Sequence, residues 1–263
     1  MRTNQTLLFA AILCFFTAAA QAADTPPFPA VKVPAQKLFP GEKMRYAISY
    51  LGLTIGHAEA EVKALETYEG RPAYRIEVSV KSNPVIDLIY KVRDEHKTWI
   101  DAEKLRPLRY EKKIHEGRTQ ASEIQSFDYA ALKARNLSPE GKVVKEADIP
   151  ETVQDQLSCG YVFRMREIKP ETTESLPVYA DGKIWKLDVV LKDQELLKIP
   201  GIGIFSALEA EPEIAFQGIF VKKGKIRGWL SLDERRIPLK METAVPVLGK
   251  VKAELESYQP GEG

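Results

Sequence analysis

The chain has 263 residues, with 38 Lys+Arg against 37 Asp+Glu and 44% hydrophobic residues. That length supports one large β domain or two small domains, with enough apolar material for a real core. Charges are balanced and Lys and Glu interleave throughout, so the basic stripe that a nucleic-acid partner requires is missing.

Met1–Ala22 starts with Arg2, continues through the apolar run Leu7–Phe16 and closes with Ala20-Gln21-Ala22. Charged start, apolar middle and small residues at the end read as a secretory signal peptide. The run is too short for a transmembrane anchor and no second apolar span follows, so no membrane span is expected. Leu13 precedes Cys14 where lipoprotein processing needs a small residue. The expectation is a soluble periplasmic protein beginning near Ala23. Cys14 leaves with the signal, and Cys159 alone makes no internal disulfide. Its expected place is a helix, as a small buried apolar residue.

Ala23–Pro40 contains Pro26, Pro27, Pro29, Pro34 and Pro40 and reads as an extended lead. A single β-rich domain is expected over residues 41–259. From Glu42 the dominant period is two. Tyr74, Ile76, Val78 and Val80 share one side of a strand; Trp185, Leu187, Val189 and Leu191 share another. Ile237, Leu239 and Met241 alternate with Pro238 and Lys240, and Val251, Ala253 and Leu255 with Lys252 and Glu254. This is the pattern of antiparallel strands with one face buried. Turn signals separate the runs at Tyr68–Pro72, Pro139–Gly141, Asp181-Gly182 and Lys222–Lys225. About ten strands follow from this reading. Two helices are predicted. Pro84–Tyr90 is short; Thr152–Glu167 has Val153, Leu157, Tyr161 and Arg164 about one turn apart and Pro150 and Pro170 outside its ends. Two helices cannot cover ten half-apolar strands in a two-layer sandwich. The predicted fold is mainly β: a curled antiparallel sheet, barrel or half-barrel, with one or two short helices plugging its concave side.

Sites of chemistry are sparse. His57, His96 and His115 do not stand at metal-ligand spacing, and they read as surface residues. No nucleophile elbow, phosphate loop, dinucleotide fingerprint or zinc-protease motif occurs. Asp94-Glu95 and Asp233-Glu234 are adjacent, so a strand sends each pair to opposite faces, and both read as surface or turn charge. Ile199–Phe205, punctuated by Pro200, Gly201 and Gly203, reads as a bulge or corner, or as a lip over an apolar cavity. Candidate ligand-contacting residues are therefore the inward apolar set Tyr74, Ile76, Val78, Trp185, Leu187, Val189, Leu230 and Leu239, with Ile204 and Phe205 from that loop. No cofactor, metal or catalytic residue is expected.

The C-terminal block carries a resemblance. It reads Phe216-Gln217-Gly218, then Gly224 through Met241 with Trp229-Leu230-Ser231-Leu232-Asp233-Glu234-Arg235-Arg236-Ile237-Pro238, then Leu248-Gly249-Lys250-Val251. With Gly41-Glu42, Tyr50–Leu53, Tyr90–Asp94, Leu105-Arg106-Pro107 and Asp155–Ser158 in that order, the chain resembles the bacterial family DUF3108. Leu232 stands where that family's pattern tends to have an acid. Asp233–Pro238 reads as a polar turn, closed by Asp233 and paired with Arg235 or Arg236. The resemblance implies an exported β-rich protein, no established chemistry, and a likeness to lipoprotein-carrier folds by analogy of fold. The functional expectation is a non-enzymatic periplasmic carrier of an apolar small molecule, acyl chain or lipid, or of a partner peptide. The alternatives are an envelope assembly protein that docks a protein partner, and an enzyme with an unrecognised site.

Overall fold

A computed structural model describes residues 38–214, 226–245 and 249–262. The signal segment, the lead up to residue 37, the Lys222–Lys225 turn, Phe216–Gly218 and Leu248 lie outside the described residues. Fourteen strands form one antiparallel sheet. They are β1 (Lys43–Tyr50), β2 (Leu53–Tyr68), β3 (Arg71–Ser82), β4 (Arg93–Asp101), β5 (Pro107–Glu116), β6 (Thr119–Asp128), β7 (Lys133–Leu137), β8 (Val143–Asp148), β9 (Thr173–Ala180), β10 (Lys183–Ile199), β11 (Gly203–Ile214), β12 (Ile226–Ser231), β13 (Pro238–Val245) and β14 (Gly249–Gln259). Every neighbour in the sheet is a neighbour in sequence except β1, which pairs with β14. The edges are β8 and β9.

The sheet is curled but not closed by a ladder between those edges. The chain between them crosses the gap instead. Gln154 lies parallel to β9, donating its N–H to Pro177 O at 2.9 Å and accepting from Tyr179 N–H at 2.8 Å. Lys145 Nζ reaches Asp181 O at 3.0 Å, and the Tyr179 hydroxyl reaches Asn136 Oδ1 at 2.6 Å. Both open edges are thus partly covered, as an exposed edge must be to stay unpaired with another chain.

The backbone demand of Gln154 also shortens the predicted 152–167 helix. Its backbone pairs with β9, so helix α2 spans only Ser158–Arg164. Asp155 starts the helical turn. Its Oδ1 accepts from the N–H groups of Leu157 (2.6 Å) and Ser158 (2.7 Å), while Ser158 Oγ accepts from Asp155 N–H (2.9 Å). This is a reciprocal capping arrangement. Helix α1 is a single turn, Pro84–Asp87, capped by Asn83 Oδ1 from Ile86 N–H. It buries none of its residues, and Val85, Leu88 and Ile89 stand in solvent. Of the two described helices, α2 is therefore the one that plugs the concavity.

Where sequence alternation is clear, burial follows it. Trp185, Leu187, Val189 and Leu191 are buried, as are Val251, Ala253 and Leu255. The turns at Glu69-Gly70 and Asp181-Gly182 have positive φ at both central residues, the mirror-type geometry that suits strand twist. The main core gathers β1–β3, β9–β14 and α2, with Ile100 from β4. A second cluster holds Leu108, Tyr110, Phe127, Tyr129, Ile149, Val153 and Tyr179.

One end of the barrel is sealed by charge. Arg164, in the last turn of α2, meets Glu42 through two hydrogen bonds of 2.8 Å. The same guanidinium donates to Arg236 O (3.1 Å) and Arg235 O (3.0 Å), and Tyr258 donates to Glu42 Oε1 (3.1 Å). The cation also complements the helix C-terminus. Asp233 closes its turn as expected, accepting from the N–H groups of Arg235 and Arg236. The arginine side chains do not pair with it. Arg236 donates to Arg164 O and Arg235 to Gly261 O, so both tie the turn to the helix and the C-terminus. The described end of the proline-rich lead docks here too: Leu38 is buried and the Arg235 guanidinium lies 4.2 Å from the centre of the Phe39 ring.

Candidate binding cavity

A cavity of about 250 Å³ lies between α2 and the sheet. The helix side supplies Leu157, Cys159, Gly160, Tyr161 and Phe163, preceded by Gln156. The sheet side supplies Met44 and Tyr46 from β1, Ala58 and Ala60 from β2, Val78 from β3 and His96 from β4. The remaining wall comes from Leu187 and Val189 on β10, Ala210 and Pro212 on β11, and residues of β12 and β13. Its lining is overwhelmingly apolar. Small residues make the room. A Cβ placed on Gly160 would meet nothing within 4 Å, and Ala58, Ala60 and Ala210 face it with short side chains.

Charged side chains that reach the wall are all paired. Arg164 is held by Glu42 (2.8 Å), Arg227 by Glu242 (2.9 Å) and Glu209 (3.4 Å), Lys240 by Glu242 (2.6 Å), and Glu59 by Arg45. Cys159 is a free, buried thiol, and burial together with the nearby Asp155 pushes its pKa up, away from the reactive thiolate. It sits on the helix as the sequence suggests.

Of the ten candidate ligand-contacting residues, Val78, Leu187, Val189 and Leu230 line the cavity. Ile76, Trp185 and Leu239 are buried in the core, and Tyr74 packs against it, none of them at the cavity wall. Ile204 and Phe205 are not at the wall either. Residues 200–202 form the turn between β10 and β11, and Ile204 is 69% exposed.

His96 is the clearest correction. It is not a surface residue but 5% exposed, at the cavity wall. Its Nδ1 lies 2.7 Å from the Tyr110 hydroxyl, which donates to Gln156 Oε1 at 3.4 Å. Burial, reinforced by the Lys112 cation, lowers its pKa to about 3, so the ring is neutral. Asp94 is likewise buried rather than surface charge. Alternation had a signal for both. Asp94, His96, Thr98 and Ile100 share the inward face of β4, but three of the four are polar and conceal the pattern. Behind them runs a buried polar network: Lys112 pairs with Glu123 (2.9 Å), and Glu123 accepts from Gln125 (2.8 Å) and Asn136 (2.6 Å). Asp155 is fully buried, and that burial raises its pKa to about 6, against the hydrogen bonds from Thr98 and from the helix N–H groups. Beyond the cavity, the interior from β4 to β7 combines this polar network with the second apolar cluster. Among the described residues, His96 Nε2, Gln156 Nε2 and the Tyr161 hydroxyl, buried atoms of cavity-lining side chains, have no hydrogen-bond partner. Among the described residues, no three His, Cys, Asp or Glu side chains come together as a metal site would need.

These features define a mainly β, barrel-like protein of antiparallel strands with a helical plug. The family model for DUF3108, described as a protein of unknown function, matches residues 45–256, and the chain belongs to that family. A β-barrel-like protein of the domain of unknown function DUF1849 from Brucella abortus is similar in fold. The TM-score is 0.60 at 10% identity, covering 87% of this chain and 100% of that one. Weaker likenesses include a Bacteroides fragilis protein described as exported, with a YmcC-like fold (TM-score 0.31, 11% identity, 85% of this chain and 99% of that one). Another is a Parabacteroides distasonis protein described as a lipoprotein (TM-score 0.32, 13% identity, 84% and 97%). No curated protein matches the chain. Among the described residues no helix is long and apolar enough to cross a membrane.

Proposed function

We propose that this protein is a non-enzymatic binding or carrier module of the bacterial periplasm that holds an apolar ligand, such as an acyl chain, between α2 and the sheet. The observation that carries the reading is the cavity: about 250 Å³ of apolar-lined space inside a strand framework. Cavities of about 150 Å³ already take up benzene when their walls are apolar. The signal-like segment Met1–Ala22 supports the periplasmic setting. The raised Cys159 thiol and the neutral His96 ring fit a container better than a catalyst.

Gly160→Phe tests it. The helix accepts a larger residue more readily than glycine, and Gly160 stands exposed at the cavity wall, where a ring meets no neighbour at its Cβ and lies beside the apolar lining. Wild-type protein is expected to bind the neutral fluorescent probe phenylnaphthylamine, and Gly160→Phe to lose that binding at least about tenfold with an undiminished thermal midpoint. Native mass spectrometry of protein taken from the periplasm supplies the second measurement. Absence of co-purifying lipid together with no probe binding by the wild type would sink the proposal.

A further inference from the structure

The end of the barrel opposite the Glu42–Arg164 seal carries an apolar surface that the core does not use. Glu42 precedes β1, whereas Leu51, Gly52 and Leu53 follow it. Helix α1 lies beside this hairpin, because Asn83 donates its backbone N–H to Ile55 O (2.9 Å) and its side-chain N–H to Thr54 O (2.7 Å). Leu51, Leu53, Val85, Leu88 and Ile89 therefore share one rim, and each is between 69% and 87% exposed. Single exposed apolar residues are ordinary, but a group of them in one place marks an interaction surface.

Folding gives no reason for these side chains. Leu51 has φ 49°, in the left-handed region that suits Gly, Asn or Asp, and a bulky apolar residue there costs stability while burying little. The single turn of α1 buries none of its residues. Basic side chains flank the rim. Gly117 donates its N–H to Lys91 O at 2.8 Å, which sets Lys91 close to Arg118. Lys250 precedes Val251, the partner of Tyr50 across the β1–β14 ladder. All three cations are exposed and form no ion pair among the described residues. The acid of α1, Asp87, is held by Arg93.

We infer that this rim docks on an anionic lipid surface, with the five aliphatic side chains entering the bilayer interface and Lys91, Arg118 and Lys250 meeting lipid phosphates. Apolar area combined with attraction to anionic headgroups holds a protein to such a surface without spanning it. A protein partner matches the rim less well. Protein interfaces are enriched in Tyr, Trp and Phe and depleted in Lys, whereas the large apolar residues that stand in solvent here are aliphatic. The rim is separate from the cavity, since none of these residues lines it.

The test is flotation of protein taken from the periplasm with two kinds of vesicle, phosphatidylcholine alone and equal parts of phosphatidylcholine and phosphatidylglycerol. Wild type is expected to bind the anionic vesicles at least about tenfold more tightly than the neutral ones, and to be released as salt rises. Leu88→Ser/Ile89→Ser is expected to weaken binding to the anionic vesicles at least about tenfold. Its thermal midpoint should not change, because both side chains stand in solvent. Lys91→Gln/Arg118→Gln is expected to lose as much, at roughly fivefold for each charge near an anionic surface, and to bind neutral vesicles as wild type does. Failure of wild type to bind the anionic vesicles overturns the inference, and so does full binding by either variant. A dimer in vesicle-free solution that Leu88→Ser/Ile89→Ser makes monomeric also overturns it, and assigns the rim to a second copy of the chain. The cavity reading is judged separately by phenylnaphthylamine, which both variants are expected to bind as wild type does.

Discussion

Arg164→Met is expected to remove about 3–5 kcal/mol of folding stability, the loss typical of a buried ion pair stripped of one partner. Both charges are deeply buried, Arg164 at 7% and Glu42 at 1% exposure. The substitution leaves the Glu42 carboxylate with only Tyr258 in place of two guanidinium hydrogen bonds, and it orphans the carbonyls of Arg235 and Arg236. Domains are held by only about 5–15 kcal/mol, so one substitution would take a large share of the total. Glu42→Gln is expected to cost a comparable amount, because the guanidinium then stays charged in a dry site. The double variant Arg164→Met/Glu42→Gln is expected to lose clearly less than the sum, since no uncompensated charge remains. Urea unfolding of the four proteins measures this. Strict additivity would show that the pair is not coupled and that the seal is held by packing alone.

This seal also shows what a sequence can disclose and what it conceals. Glu42, Arg164 and the neighbours Arg235-Arg236 come from three distant parts of the chain, and nothing local says that they meet. Strands on the apolar side were legible because burial and hydropathy coincide there: Trp185 to Leu191 and Val251 to Leu255 alternate as they are buried. Strands β6, β7 and β8 were less so. Their residues read Thr119–Asp128, Lys133–Leu137 and Val143–Asp148, with few apolar positions to mark a face. Buried polar residues remove the signal there: Gln125 and Asn136 are buried although they look like surface residues. Fourteen strands therefore replace about ten. The predicted 152–167 helix had the right apolar spacing, but tertiary pairing of Gln154 with β9 claimed its first turn. Four of the ten candidate contact residues reach the cavity. The cavity itself depends on where side chains stop, and its polar edge brings together His96 on β4, Tyr110 on β5 and Gln156 ahead of α2, which no local pattern joins.

The second large effect concerns pH. Asp94 and Glu116 are both buried, and their carboxyl groups face each other where β4 begins and β5 ends. Burial first, and the Asp94 charge second, push the Glu116 pKa up to about 8. Asp94 is raised as well, by burial, although the His115 N–H donates to its Oδ1 at 2.9 Å. The pair therefore holds a proton that the unfolded chain, with carboxyl pKa values near 4, has released. Because the folded state binds more protons, stability falls as pH rises through this window. His96 acts with the opposite sign: its lowered pKa means that stability is lost as pH falls below about 6.5. Asp155, raised to about 6, has the same sign as Glu116 but has largely titrated by that point. Between about pH 6.5 and 8 the carboxyl pair stands alone among these three sites. Wild-type protein is expected to lose about 1–2 kcal/mol across that interval, at roughly 1.4 kcal/mol per pH unit for one fully withheld proton. Glu116→Gln keeps the shape and a hydrogen-bond donor but cannot ionise, so its stability is expected to be flat over the same range and to exceed wild type at the upper end. Urea titrations at the two pH values decide it. An equally steep slope in Glu116→Gln would place the withheld proton elsewhere.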